Sequence, residues 1–241
     1  MIHIISMWHN EEFLAPLFMN HYQRADKISI ILDDCTDNTR DYLDGCEVIE
    51  ISSGHLDDLD KARKLSTLAN ESDADLRIVV DSDEFIYGSA PIGHSEGLVY
   101  SVGFWEVFRH SSDSDIDREK PALPQRLHGN PNQGQCFGQN HFTKPIVLGR
   151  GVKADFAPGN HSLRDKSQRV LTGFFDGVHW AMADPSIALD RRHKKRARMS
   201  MNNKMFGLTS HDWNVTTEQI VRECSLRLNS ERVVFTDRER F

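Results

Sequence analysis

The stretch Leu76-Arg77-Ile78-Val79-Val80-Asp81-Ser82-Asp83-Glu84-Phe85 decides the fold. A short apolar run stops abruptly at three carboxylates, Asp81, Asp83 and Glu84. Val and Ile favour a strand, and a run that is apolar on both faces marks a buried strand of a parallel sheet. The carboxylates then lie at the strand's C-terminal end, the edge where open α/β sheets bind ligands. Crowded carboxylates repel one another unless a cation or a proton sits among them. Hard oxygen donors suit Mg²⁺ or Mn²⁺, ions that bridge one or two carboxylates to substrate phosphates. The stretch reads as a metal–diphosphate site; the bland alternative is an acidic turn that caps the next element.

Working back towards the start, residues 2–8 read as a first strand. His9-Asn10-Glu11-Glu12 follows, then Phe13, Leu14, Leu17, Phe18 and Tyr22 at helical spacing, with Asn10 as an N-cap. Residues 27–32 form a second strand, ending in Asp33-Asp34-Cys35-Thr36-Asp37-Asn38-Thr39, which offers turn chemistry and a helix start. Residues 48–51 make a third strand, and a polar helix over about 57–70 carries Lys61, Arg63 and Lys64. This β-α-β-α-β-α-β alternation implies a parallel sheet with right-handed crossovers. Three polar strand ends, at 10–12, 33–37 and 81–84, fall along one edge of it.

Forward of Phe85 the alternation ends. Residues 97–108 are rich in strand formers, 109–134 read as a long loop, and 144–148 as another strand. A helix over about 185–205 carries the basic run Arg191-Arg192-His193-Lys194-Lys195-Arg196-Ala197-Arg198. Thr216 or Thr217 caps a last helix reaching about residue 228.

The 241 residues carry a net charge of −7, which argues against general nucleic-acid binding. Cys35, Cys46, Cys136 and Cys224 form no CxxC pair, so a zinc knuckle is not expected and a reducing compartment is. The first strand starts with no basic leader, and no apolar run approaches the ~20 residues of a membrane span. The expectation is a cytoplasmic protein, at most peripheral to the inner face of a membrane.

The order of these motifs resembles glycosyltransferases of the GT-A fold, close to the family-2-like group. The resemblance rests on the Asn10-Glu11-Glu12 turn, the Asp-rich turn 33–39, Asp81-Ser82-Asp83-Glu84-Phe85, Lys144-Pro145-Ile146-Val147 and Gly159-Asn160-His161. It covers roughly residues 1–165. Relatives follow a second His with an Arg-Ser pair, whereas His179-Trp180 is followed here by Ala-Met-Ala-Asp.

The resemblance implies an α/β fold, a mostly parallel sheet flanked by helices, in one domain. Residues 1–96 would be the nucleotide-binding half, 97–183 a mixed acceptor-side half and 184–241 a C-terminal helical segment. It also implies a transferase that moves a sugar from a nucleotide-diphospho-sugar, UDP-linked by family habit, to a hydroxyl of a glycan or lipid-linked saccharide. Mn²⁺ or Mg²⁺ would be bound by Asp83, with Asp81 on the ribose or the metal's waters. Asn10, Glu12 and Asp34 would face the nucleotide; helix capping accounts equally well for Asn10, and Asp33 or Asp37 would cap the following helix. His161 and His179 are candidates for a further metal ligand or a diphosphate contact, and Lys144 for the diphosphate; for each the alternative is a structural role. Glu106 and Asp176, in apolar stretches that raise a carboxyl pKa, are candidate general bases. The basic run at 191–198 reads as a solvated helix face, or as a surface for a phosphorylated acceptor, a lipid-linked diphosphate or an anionic membrane. Trp105 and Trp180 are either core or sugar platforms. The rival functions are an inactive nucleotide-sugar or carbohydrate-binding domain and a haloacid-dehalogenase-like phosphatase with Asp81 as nucleophile.

Overall fold

A computed structural model describes residues 1–88, 95–131, 142–208 and 216–219. The first half builds β1 (Ile2–Trp8), α1 (Ala15–His21), β2 (Lys27–Asp33), a 3-10 turn (Asn38–Tyr42), β3 (Glu47–Ile51), α2 (Asp58–Glu71) and β4 (Leu76–Val79). β1 pairs in parallel with β2 on one side and β4 on the other, and β2 with β3. The order β3-β2-β1-β4 puts the C-terminal ends of β1, β2 and β4 side by side. Strand formation here is driven by burial: Ile4, Ile5, Ile30, Ile78, Val79 and Val80 are all fully buried. That pattern is the one expected of strands covered on both faces.

Beyond β4 the sheet is mixed. β5 (Glu84–Gly88), β6 (Leu98–Phe108), β7 (His128–Pro131), β8 (Phe142–Gly149) and β9 (Arg169–His179) complete nine strands. β8 runs antiparallel between β4 and β6, and β9 lies parallel to β6 and antiparallel to β5. The chain therefore leaves the sheet at Val79, passes through the acidic turn and re-enters at the far edge. Residues 109–134, read as loop from the sequence, contain α3 (Ala122–Gln125) and β7 among the described residues. Ala122 and Leu123 are buried there, and the buried Arg126 donates to the carbonyls of Ala183 and Ser114. Polar side chains that find buried partners hid that order from a pattern reading.

α4 (Pro185–Arg198) and α5 (Met201–Met205) end the well-connected chain. Asp184 caps α4 through the Ser186 N–H, and Pro185 at the first turn costs no hydrogen bond. Ser200 and Asn202 bind Asp57, the cap of α2, and Asn203 accepts from the Asp58 N–H. The Leu56 N–H donates 2.6 Å to the Arg198 carbonyl, and the Ser200 N–H donates to the Leu56 carbonyl. These bonds fasten α4 across the strand ends. Of the expected helix at 216–228, only 216–219 lie within the described residues.

Candidate active site

Where the ends of β1, β2 and β4 meet α4, the chain forms an open cleft. It is lined by Trp8, His9 and Glu11 from the first strand end, Asp33 from the second, and Asp81, Ser82 and Asp83 from the fourth. Leu56 and Lys61 close one wall, His179 another, and Arg191, Lys194, Lys195 and Arg198 face them from α4. The α4 residues are spaced i, i+3, i+4 and i+7, which is a single helical stripe. The solvated-face reading of the basic run is thereby corrected: this stripe lines the cleft.

Every carboxylate of the acidic turn meets a cation, and Asp81 and Glu84 share one, Lys144. Asp81 accepts from Lys61 at 2.6 Å and from Lys144 at 3.0 Å. Glu84 stands 2.5 Å from Lys144 and also accepts from the Asp81 N–H. One oxygen of Asp83, Oδ2, meets both Arg191 Nη2 at 3.0 Å and His179 Nε2 at 3.2 Å. Burial disfavours the charged forms of Asp81 and Asp83, yet Lys144 and Lys61 around one, and Arg191 and His179 around the other, outweigh it. Both carboxyls lie well below the usual range. Burial pushes the Glu11 and Glu84 carboxyls up, against the pull of Arg191 and Lys144.

His179 is held from behind. Its Nδ1 lies 2.8 Å from Glu106 Oε2, while Nε2 points at Asp83. Burial works against an imidazolium, but Glu106 and Asp83 together raise the pKa of His179 well above its ordinary value. In register, Glu84 and Glu106 flank His179 on the neighbouring strands. A carboxylate behind a histidine fixes its tautomer and ring plane and makes it a better metal donor.

The residues singled out from sequence separate into two groups. Asp81, Asp83 and His179 come together at the cleft; Lys144, buried against Asp81, and Glu106, half-buried against His179, stand just behind it. Asn10 adopts a left-handed φ of 52° and does not cap α1, which starts at Ala15 with Pro16 in its first turn. Its Oδ1 instead accepts from the Thr36 and Asp37 N–H groups. Glu12 accepts from Asn38, so both side chains brace the turn after β2. Asp34, also left-handed at 53°, binds Ser52, the Gly54 N–H and Arg198. His161 is exposed and lines a separate depression with Thr143, Pro145 and Lys166. Gly159, at φ 73°, leaves room for its ring. Asp176 is three residues before His179 on β9, hence on the opposite face of the sheet. Trp180 is fully buried against Phe85, and Trp105 packs on the core; the sugar-platform alternative is set aside for Trp180.

Among the described residues, no three His, Cys, Asp or Glu side chains converge on a point that could hold a metal. The expected trio Asp81, Asp83 and His161 is therefore not assembled. What the cleft offers is a pair of donors, Asp83 Oδ2 and His179 Nε2, oriented by Glu106. Residues missed from the sequence are Glu11, Arg191, Lys194, Lys195 and Arg198 as parts of one site. For the last four, the spacing was the available signal.

No protein-family model matches the chain, and no curated protein does. Distant likenesses exist among solved structures. Glucosyl-3-phosphoglycerate synthase from Mycobacterium tuberculosis, solved with Mn²⁺, uridine-diphosphate and phosphoglyceric acid, is 15% identical over 44% of this chain and 43% of that chain, with a TM-score of 0.31. The match thus spans less than half of the synthase. HddC from Yersinia pseudotuberculosis is 12% identical over 80% of this chain and 99% of that one, with a TM-score of 0.40. TarS from S. aureus is 10% identical over 82% and 64%, at 0.38.

Proposed function

We propose that the chain is a GT-A-type glycosyltransferase. It takes a sugar from a nucleotide-diphospho-sugar, UDP-linked, and places it on a hydroxyl of a glycan or lipid-linked saccharide. The observation that carries the reading is the convergence, in one cleft, of the motif carboxylates, the Glu106–His179 pair and the α4 stripe.

Sugar transfer leaves a nucleoside diphosphate whose negative charge must be met. The cleft lining holds five Lys/Arg against four Asp/Glu, an excess of one positive charge, or of two with the His179 imidazolium, against the two to three negative charges of a leaving nucleoside diphosphate. That excess falls short of a diphosphate. A divalent cation, Mn²⁺ or Mg²⁺, would supply the remainder. Two protein donors, Asp83 and His179, suit such an ion. Metal binding would displace the Nε2 proton of His179, while Glu106 keeps the Nδ1–H in its hydrogen bond and so fixes the ring plane. Lys61 and Lys144 keep Asp81 ionised at the cleft wall, where it would accept hydrogen bonds from the hydroxyls of a nucleoside. The α4 stripe meets phosphate oxygens from the opposite side. The phosphatase alternative loses support because Asp81 has both oxygens engaged by Lys61 and Lys144, leaving no open nucleophile.

Thermal-shift measurements with nucleoside diphosphates and nucleotide sugars, each with and without Mn²⁺, test the reading. Expected is a stabilisation that needs nucleotide and metal together, about 2.7 kcal/mol at a ligand concentration of ~100 times Kd. No stabilisation by any nucleotide in either condition overturns it. Nucleotide-sugar binding with no metal-dependent consumption of the donor would favour the inactive binding domain.

A further inference from the structure

Arg191 occupies a place that the proposed function needs for another cation. Its Nη2 sits 3.0 Å from Asp83 Oδ2, while Nη1 reaches Glu11 Oε2 at 2.6 Å and Ser82 Oγ at 3.2 Å. The side chain is only 11% exposed. It thus joins α4 to the ends of both β1 and β4. The Asp83 oxygen it uses is the one that faces His179 Nε2. A divalent ion binds a carboxylate oxygen at about 2.1 Å. An ion held between Asp83 and His179 would lie against the guanidinium, and like charges that close repel strongly.

We propose that Arg191 is a positioning residue that holds the place of the divalent cation on Asp83 until donor arrives. The deepening rests on the nucleotide-diphosphate reading. On donor binding, Arg191 gives up Asp83 and takes a phosphate oxygen, in line with Lys194, Lys195 and Arg198 on the same stripe. Metal and nucleotide each vacate the partner the other needs, so each tightens the other's binding. Coupling of this kind is reciprocal and typically 5–150-fold. A planar guanidinium suits both halves of the exchange, since it bonds carboxylate and phosphate in the same two-pronged manner. The arrangement also gives Asp83, which is 2% exposed, a second cation beside His179.

The test is a Mn²⁺ titration of the full chain followed by the paramagnetic signal of free Mn²⁺, with and without UDP. On the native chain, UDP should tighten Mn²⁺ binding about tenfold or more. Arg191→Met should bind Mn²⁺ alone about tenfold more tightly than native while losing most of the tightening by UDP. Arg191→Lys, which keeps the charge without the fork, should fall between them. A merely structural role for Arg191 would weaken both ligands together. The inference is overturned if native Mn²⁺ affinity is independent of UDP, a result that needs no variant, or if Arg191→Met binds Mn²⁺ alone no better than native. Failure of native and variant chains alike to bind UDP under any condition would overturn the transferase reading itself.

Discussion

Lys144 is the residue on which the acidic turn depends most, and replacing it with Met should destabilise the fold. Its ammonium group is 3% exposed and lies 3.0 Å from Asp81 and 2.5 Å from Glu84. At an effective dielectric of ~20, each contact is worth about 5 kcal/mol before desolvation is subtracted. Removing one partner of a buried pair typically costs 3–5 kcal/mol, because the remaining charge stays buried without compensation. Asp81 keeps Lys61, but Glu84 loses its cation. Glu84 already has a raised pKa through burial, so it can take up a proton, which limits the loss to roughly 3 kcal/mol. For a chain of this size, that is a fall in Tm of about 6–12 °C. Urea unfolding of native, Lys144→Met, Glu84→Gln and the double variant would measure it. The double variant should recover about 1 kcal/mol or more relative to additivity. A loss below about 1 kcal/mol in the single variant would refute the reasoning, and would mean the ammonium group relaxes into the cleft as the diphosphate contact read from the sequence.

Glu106→Gln should lower metal affinity in the presence of UDP by about 10–100-fold by releasing the His179 ring, read by the same Mn²⁺ titration; an unchanged affinity would remove His179 from the donor pair. His3 gives a pH effect of defined sign. It is buried between Ser29 and Ser72, and burial, aided by Lys27, lowers its pKa to about 4. The unfolded chain therefore binds a proton near pH 6.5 that the folded chain refuses, and stability should fall by as much as about 3 kcal/mol between pH 6.5 and 4. His3→Gln should flatten that part of the profile, and an identical slope in the variant would rule His3 out as its source. Gly177→Ala should cost roughly 1–3 kcal/mol in urea unfolding by overpacking, since the added carbon would sit 2.5 Å from the Phe104 ring; a neutral result would show that Phe104 can rotate away.

The strands were legible because their burial is written in composition: Ile28-Ser29-Ile30-Ile31-Leu32 and Ile78-Val79-Val80 are apolar on both faces, and both lie in the parallel half. The polar helix expected over about 57–70 is α2, and Asp57 caps it by accepting from two backbone N–H groups. Asn10 misled because an Asn before a helix is also the residue that best tolerates a left-handed turn, and here the turn won. His161 misled because a glycine-histidine turn looks alike whether it faces a cleft or solvent. Register along β9 decides that Asp176 faces away while His179 faces Asp83, and register depends on which strands pair, not on the local sequence.

The basic run shows most clearly what an amphipathic pattern can and cannot say. Arg191, Lys194, Lys195 and Arg198 define a helix face in the sequence, but a charged face reads as solvated unless something is known to oppose it. What opposes it is set by contacts far along the chain: Asp57 and Asp58 with Ser200, Asn202 and Asn203, and Leu56 with Arg198. Those bonds lay α4 over strand ends that already carry Glu11, Asp33 and Asp83. Each side would repel itself if left alone; together they form alternating pairs at the cleft wall. α4 is thus part of the site, held there by the bonds of residues 198–203. Cutting the Asp57–Ser200–Asn202 fastening should loosen the cleft without touching any residue that lines it.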